Sequence, residues 1–347
     1  MRIIIGLLMA FFMNDTLAHI KWFAPYNIEK PPLPIEQVLT KPFIYLFLSS
    51  VFLVYLFFLV DRYICKQGYF SALDTRLRAL NKFSMYLMRL STGVFFISLW
   101  AFEQTHDVIF LLTPELKTNQ VIIPWIHLCL GLCTLSRYTL PLIGFGILGL
   151  YAESIYLYGL YHLLDYVLFL GVSYFFIIIN TNNATWRKSG FIVLFASLGL
   201  SLLWVSVEKF AYPVWSYPLL TEHSELLLGM SPSFFMIVAG FVEFNLTFLL
   251  LSAGSILIRF IAFGFENIFV LAIYKFGVID ALGHLLIITT LIILFVQGPT
   301  DARNMLILKE KSVWVEAYFM TGLFVLAFVM FFIMYYGFHY VAYGEMN

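Results

Sequence analysis

Charged residues are scarce in this sequence. Only 12% of its 347 residues are Asp, Glu, Lys or Arg, about half of the roughly 25% that soluble domains carry. So little polar surface cannot coat a water-soluble globule, and the soluble classes of protein are therefore excluded. Lys plus Arg and Asp plus Glu number 20 each, and this balance argues against a nucleic-acid partner.

Cysteine is scarce as well, with Cys65, Cys129 and Cys133 as the only three residues. Three scattered cysteines imply no disulfide framework. Cys129 and Cys133 share one face of an apolar run, where small residues normally serve packing. The sequence also lacks the Walker, dinucleotide-binding, nucleophile-elbow and zincin motifs. No motif therefore names a reaction, and composition leaves open whether the chain is an enzyme.

Apolar residues are abundant instead, since 62% of the chain is hydrophobic and 19% is aromatic. Aromatic rings suit lipid-facing surfaces, and runs of about 20 apolar residues match the thickness of a bilayer core. We therefore predict an all-α fold, a polytopic membrane helical bundle in a lipid bilayer. About ten transmembrane helices are predicted, at 43–61, 85–102, 122–135, 140–157, 160–179, 190–206, 233–252, 255–273, 279–297 and 315–338.

Residues 1–18 have the three zones of a secretory signal peptide. Arg2 precedes the apolar stretch 3–13, and Thr16 and Ala18 are the small residues before a cleavage site. That stretch is too short to cross a core of about 30 Å at 1.5 Å per residue. We therefore expect cleavage after Ala18.

Cleavage there would make His19 the new amino terminus. Its α-amine and imidazole together could chelate Cu(II) through nitrogen, but the simpler interpretation is that His19 is just the first residue of a polar leader. Five prolines lie between Pro25 and Pro42. The leader, 19–42, is therefore predicted to run extended over the outer surface rather than to form a helix.

The arginines of this sequence fall in every second loop between the predicted helices. If the leader lies outside, the loops at 62–84, 136–139, 180–189, 253–259 and 298–314 lie in the cytoplasm. They hold every Arg of the predicted mature chain except Arg89, which falls at an inner helix end. This is the positive-inside pattern. It predicts a multi-pass protein of the bacterial cytoplasmic (inner) membrane, with the mature amino terminus and the carboxyl terminus outside.

Two stretches share a four-helix plan and indicate an internal duplication. Each begins with a helix that ends in Trp and then an acid, Trp100 with Glu103 and Trp204 with Glu208. Each ends with a helix that carries a His and an Asp. Two parallel copies are therefore predicted. The resulting regions are the first span with its loop, 43–84, the first repeat, 85–187, the second repeat, 188–298, and a loop with the last span, 299–347.

This plan, together with Ser-Leu-Leu-Trp-Val-Ser-Val-Glu-Lys-Phe-Ala-Tyr-Pro at 201–213, resembles the DoxX-like family of small four-helix membrane proteins, here doubled over about 85–298. Some members of that family are linked to thiosulfate:quinone oxidoreduction or to thiol redox metabolism. The resemblance therefore implies a small redox-active ligand. It offers no fixed catalytic motif to carry over onto residues of this chain.

All seven histidines fall in outer segments or in the outer halves of the predicted helices. His162 and Asp165 are spaced i,i+3, and Asp280 and His284 are spaced i,i+4, so each pair shares a helical face. Burying such groups is costly unless they meet each other, a metal, a proton path or a polar ligand. A clamp between helices, a metal site oriented by Asp and a proton or substrate relay remain open.

Further ionisable residues surround these pairs. His19, Glu103, His106 and Glu208 are candidates for the rim of one shared pocket, although polar caps at helix ends would explain them equally. His127 is expected to be a packed or snorkelling residue. Glu243 and Glu266 lie within the seventh and eighth predicted spans. Intramembrane acids are functional candidates.

The expected function is an outward-facing pocket between the two copies, with His162, Asp165, Asp280 and His284 as its floor. This pocket would bind a metal ion, copper or zinc, or a small redox-active molecule. A proton-coupled small-molecule transporter is the first alternative, because paired repeats with intramembrane acids are typical of carriers. The second is a non-enzymatic membrane partner that holds a membrane or periplasmic complex together.

Overall fold

The computed structural model describes residues 20–22, 26–270, 277–306, 308 and 311–344, with the backbone alone at 20, 268–270 and 302. The predicted signal peptide, its cleavage site and His19 lie outside the described residues. Helices dominate the described part of the chain. Its one sheet is an antiparallel hairpin of β1 (Ile109–Phe110) and β2 (Lys117–Thr118).

The helices follow the sequence as fifteen α-helical segments of the described residues. In chain order they are α1 (Ile35–Val38), α2 (Lys41–Gln67), α3 (Ser71–Arg78), α4 (Ser84–Thr105), α5 (Ile123–Cys133), α6 (Leu140–Tyr158), α7 (Leu160–Leu163), α8 (Leu168–Ile178), α9 (Ala184–Ala211), α10 (Tyr217–Glu222), α11 (Pro232–Ser252), α12 (Ile256–Val270), α13 (Val278–Gln297), α14 (Asp301–Leu306) and α15 (Val313–Tyr343). Short 3-10 helices cover Ile20–Trp22, Ala79–Phe83, Arg137–Thr139, Leu164–Tyr166, Pro213–Ser216 and Ser224–Leu227.

Seven helices of the described residues are long and apolar enough to cross a membrane, so the chain is a multi-pass membrane protein. They are Lys41–Gln67, Ser71–Thr105, Arg137–Tyr158, Ala184–Ala211, Pro232–Ser252, Val278–Gln297 and Val313–Tyr343. An eighth span is formed if Leu160–Tyr166 and Leu168–Ile178, which meet at a 67° bend, count as one. The predicted number of ten is not confirmed, because α5 has only 11 residues and the described part of α12 has 15.

The leader differs from its predicted extended course. Residues 35–38 form the short helix α1, and α2 begins at Lys41, ahead of Pro42. Proline is tolerated in the first turn of a helix because the N–H that it lacks has no partner within the helix there. Pro42 therefore belongs to the first turn of α2, and not to an extended leader as predicted.

The arginines of the described residues lie near the connections at one end of the bundle, which we call the arginine side. They are Arg62, Arg76, Arg78, Arg89, Arg137, Arg187, Arg259 and Arg303. The guanidinium of Arg89 donates hydrogen bonds of 2.8 and 3.1 Å to the carbonyl oxygen of Thr134 and one of 3.0 Å to that of Leu135. Arg89 thus caps carbonyl groups that have no hydrogen-bond partner within the helix at the end of α5. The opposite end is the leader side.

Close packing of α8 against α9 fixes the centre of the bundle. Gly171 lies against Ser197 with no room for a side chain, since a Cβ on Gly171 would overlap the serine hydroxyl. The Leu168 N–H donates a 3.0 Å hydrogen bond to Ser201 Oγ on α9. This contact sets the distance between the start of α8, beside Asp165, and the leader-side end of α9, which carries Glu208.

Substituting Gly171→Ala should lower the free energy of unfolding by about 1–3 kcal/mol, because an overpacked helix contact must separate. Thermal unfolding in one detergent measures the effect. Gly149→Ala is the matched control, since a Cβ there meets no atom within 4 Å and Ala favours a helix over Gly. Equal melting temperatures for Gly171→Ala and the wild type would contradict the tight contact.

Candidate functional site

A buried lysine lies between two acidic side chains on the leader side. Lys21 Nζ donates a hydrogen bond of 2.5 Å to Asp165 Oδ2 and forms a second ion pair with Glu208. The side chains of Lys21 and Asp165 are only 1% and 2% exposed. Tyr335 Oη donates a 3.3 Å hydrogen bond to Glu208 Oε2. We call Lys21, Asp165 and Glu208 the lysine site.

Glu115 adds a third carboxylate beside the lysine site. It lies in the loop between β1 and β2, is buried, and forms an ion pair with His162 Nε2. Tyr166 Oη donates a hydrogen bond to its other oxygen. Tyr26 Oη lies 3.2 Å from His162 Nε2, so the leader also contacts this imidazole.

The charges of this cluster stabilise one another. Burial alone would raise the pKa of the Glu115 carboxyl, but the hydrogen bond and charge of His162 and the charge of Lys21 lower it to about 2. Burial alone would lower the pKa of the Lys21 ammonium, but Asp165, Glu208 and Glu115 outweigh that effect and raise it. Both groups therefore stay ionised at neutral pH.

Trp22 connects the lysine site to the second predicted pair. Its indole Nε1 donates a 3.0 Å hydrogen bond to Tyr166 Oη, and its ring centroid lies 4.8 Å from that of His284. Gly283 lies so close that a Cβ there would overlap the Trp22 ring. A cavity of about 20 Å³ remains beneath the indole, room for about one water. The leader therefore fills the space between the two pairs.

The two pairs are built differently. His284 Nδ1 lies 3.1 Å from Asp280 Oδ1 and 3.0 Å from the Asp280 carbonyl oxygen, so this pair meets within one helix. His162 and Asp165 instead bind different partners, Glu115 and Lys21. The reason is the 3-10 turn Leu164–Tyr166 at the 67° bend before α8, which removes the regular helical face that the spacing implied.

A glycine with positive φ precedes each pair. Gly159 has a φ of 84° and ends α6 just before α7, while Gly277 has a φ of 79° and directly precedes α13. Glycine populates this region at no steric cost, whereas other residues are strained there. Each glycine therefore allows a sharp change of direction just ahead of the histidine and the aspartate.

Hydrogen bonds anchor the rest of the leader across α9 and α15. The Leu33 N–H donates to the Ala211 carbonyl oxygen at 2.9 Å, and Tyr336 Oη donates to the Leu33 carbonyl oxygen at 2.8 Å. His339 Nε2 donates to the Ile28 carbonyl oxygen at 3.1 Å. These contacts hold Lys21 and Trp22 over their partners.

The predicted rim residues do not form one rim. Glu103 is buried, accepts a 2.9 Å hydrogen bond from the Phe110 N–H and lies 3.1 Å from His127 Nδ1. His127 Nε2 donates to the Leu111 carbonyl oxygen at 3.0 Å. This pair fastens the β-hairpin to α4 and α5. His106 is exposed and stacks on Phe102, so Glu208 is the one described rim candidate within the lysine site.

The intramembrane acids form a second group. Glu243 on α11 pairs with Lys209, the residue after Glu208. Thr247 Oγ1 donates a 3.2 Å hydrogen bond to Glu266 Oε1 on α12. Glu266 is buried, and its Oε2 has no hydrogen-bond partner among the described residues. A buried carboxyl oxygen without a hydrogen-bond partner is costly.

Sequence reasoning missed Lys21, Trp22 and Glu115 as members of the site. The sequence did contain one signal: the basic Lys21 and the aromatic Trp22 are adjacent in the leader. Among the described residues no group of three His, Cys, Asp or Glu side chains has an arrangement that could hold a metal ion. The cluster instead surrounds an ammonium group.

We predict that Glu115→Gln lowers stability at neutral pH and that this loss shrinks in acid. The ionised carboxyl stabilises the fold because its pKa, about 2, lies below the ordinary 4.5. Its contribution is complete above about pH 5 and is lost as the pH falls towards 2. Melting temperatures from pH 7 to pH 3 should therefore converge for wild type and variant. Glu36→Gln, which changes an exposed leader carboxylate, should show no such convergence, and a constant gap for Glu115→Gln would refute the assignment.

No family model, no curated protein and no solved structure matches this chain. The resemblance to the DoxX-like family therefore stays a prediction from the sequence. The site itself combines the buried carboxylates of Glu115 and Asp165 and the partly buried carboxylate of Glu208 with the imidazole of His162 and a lysine that the leader supplies.

Proposed function

We propose that this chain is a membrane protein that binds a small cationic ligand in the lysine site, with Lys21 and Trp22 as a tethered occupant. One observation carries the proposal: the ammonium of Lys21 is buried between Asp165 and Glu208. An ammonium on a flexible stem is similar in size and charge to the head of a small organic amine. Convergent carboxylates beside aromatic rings are also what a cation-binding pocket requires.

The position of the site supports an outward-facing ligand route. The arginines of the described residues lie on the opposite side of the bundle, and arginine-rich connections favour the cytoplasm. We therefore propose a bacterial cytoplasmic membrane protein with the lysine site open to the outside when the leader is displaced. The carboxyl-terminal end of α15 and the leader lie on that same side.

The architecture around the site supports a ligand-binding role. The bend before α8 places irregular backbone at the site, and broken membrane helices are tolerated where they line a cavity or bind a ligand. The glycines ahead of the two His and Asp pairs favour the proposed duplication. We prefer an organic ammonium to copper or zinc because Lys21 already occupies the position between the carboxylates. A redox role remains an expectation of the DoxX-like resemblance.

Replacing Lys21 by alanine should create an empty cation site. The variant leaves the buried carboxylate of Asp165 and the partly buried one of Glu208 without their cation, and it should lose about 3–5 kcal/mol of stability. Ethylammonium chloride should restore much of the lost melting temperature by occupying the vacated position. The wild type should respond little, because its own ammonium is already in place.

Lys30→Ala is the matched control, since it removes an exposed lysine from the same leader, and sodium chloride at equal ionic strength controls for screening. Rescue by Zn²⁺ but not by ethylammonium would favour the metal interpretation. Failure of both to raise the melting temperature of Lys21→Ala would remove the support for a ligand site.

Proton-coupled transport is a second candidate, favoured by the buried Glu266. Glu243 and Thr247 are spaced i,i+4 on α11 and share a face, and Thr247 contacts Glu266. Lys209, which follows Glu208 in the sequence, joins Glu243 to α9. This row of groups would give a proton path between the lysine site and the interior of the bundle.

Glu266→Gln tests that candidate, because it preserves shape and removes the titratable group. Proteoliposomes with an internal pH-sensitive dye and a valinomycin-driven potential should show proton flux with the wild type and at least about tenfold less with this variant, as for loss of a relay group. Glu222→Gln, in the exposed end of α10, should leave the flux unchanged. Absence of flux with the wild type would argue for binding without transport.

A further inference from the structure

A separate cavity opens on the arginine side of the bundle. Its volume is about 230 Å³, and it lies where the end of α2, α3, the start of α12 and α14 meet. Its lining includes Arg62, Tyr69, Arg78, Arg303 and Asn304. Tyr69, Arg78 and Asn304 are exposed, so the cavity is accessible from the aqueous side of the membrane.

The carboxylates near this cavity already have partners. Asp61 accepts hydrogen bonds from the backbone N–H groups of Gly254, at 3.1 and 3.0 Å, and of Ser255, at 2.7 Å. Glu316 binds Arg62 and, at 2.9 Å, Arg303. Each of these two acids therefore already binds backbone N–H groups or guanidinium groups of the protein.

Asp74, which itself lines the cavity, completes the set of acids. It forms ion pairs with Arg78 and with Arg259. Four guanidinium groups, those of Arg62, Arg78, Arg259 and Arg303, thus face the three carboxylates of Asp61, Asp74 and Glu316. The cluster carries an excess positive charge.

Arg303 has donors that the described residues do not use. It is 1% exposed, and it lines the cavity. Its Nε and Nη1 have no hydrogen-bond partner among the described residues, and its Nη2 lies 3.6 Å from Asp61 Oδ2. Buried guanidinium donors without acceptors are costly. An anion in the cavity would remove that cost.

We propose that this cavity binds a phosphate group, either as free phosphate or in an anionic phospholipid head group. The oxygens of phosphate match the planar donor fork of arginine. Basic pockets between membrane helices on the arginine-rich side suit anionic head groups. The half-exposed Arg78 guides the anion at the mouth, and Arg303 binds it at the base.

Binding is tested on the purified full-length protein by calorimetric titration with inorganic phosphate and, separately, with short-chain phosphatidylglycerol. Arg78→Gln should weaken binding about tenfold, the effect expected on loss of a charge-assisted hydrogen bond. Asp74 keeps its contact with Arg259 in that variant, so the fold is retained. Arg76→Gln is the matched control, because Arg76 lies exposed on the same helix and does not line the cavity.

A second variant, Asn304→Leu, reduces the cavity without changing charge and should weaken binding as well. Tighter binding of phosphatidylglycerol, in competition with phosphate, identifies a lipid head group as the natural source. Binding of phosphate without competition by the lipid identifies free phosphate. Absence of binding of both probes to the wild type, or equal weakening by Arg76→Gln and Arg78→Gln, would overturn the proposal.

Discussion

The ion pairs of Lys21 are the interaction on which the leader side depends. Asp165, which is buried, and Glu208, which is partly buried, lie on neighbouring elements. Without a cation the two carboxylates would repel each other and remain poorly solvated. The compensating charge comes from a residue 144 positions from Asp165. Helix packing and leader docking are therefore coupled. The packing of α8 against α9 brings the two acids together, and the ammonium of Lys21 in the leader compensates their negative charge.

The two sides of the bundle carry opposite imbalances of charge. On the leader side, Glu115, Asp165 and Glu208 surround Lys21, with His162 beside them. On the arginine side, guanidinium groups outnumber the carboxylates that bind them. This contrast is the reason why a cationic ligand is proposed for the leader side and an anionic one for the arginine side. The apolar middle separates the two clusters, apart from the acids on α11 and α12.

Sequence patterns were sufficient for the class of fold and for the places where helices form. Apolar runs of bilayer length predicted the regions of α9 and α13 because lipid exposure constrains composition along the whole helix. The span that the same reasoning predicted at α5 is not confirmed, since composition does not show that this apolar run folds into a helix of only 11 residues. The bend before α8 was also missed, so the contact expected from the spacing of His162 and Asp165 is absent.

The site was only partly predictable for a related reason. His284 and Asp280 are near in sequence and share a helix, so local spacing predicted their contact. Lys21 and Glu115 lie in segments without regular membrane helices, and their partners are far away in sequence. No local rule joins a leader lysine to an acid at the end of α9. Only the three-dimensional packing of α8, α9 and α15 brings them together.

The anchoring of the leader on α15 has a consequence for biogenesis. Ile28 and Leu33 bind His339 and Tyr336, which follow them by 311 and 303 positions in the chain. Because synthesis runs from the amino to the carboxyl end, the leader is made before α15, and its docking surface is complete only after α15 has inserted. Burial of Lys21 must therefore follow the insertion of α15. Until then the acids of the leader side stay hydrated, and a chain arrested before α15 would present them to the solvent.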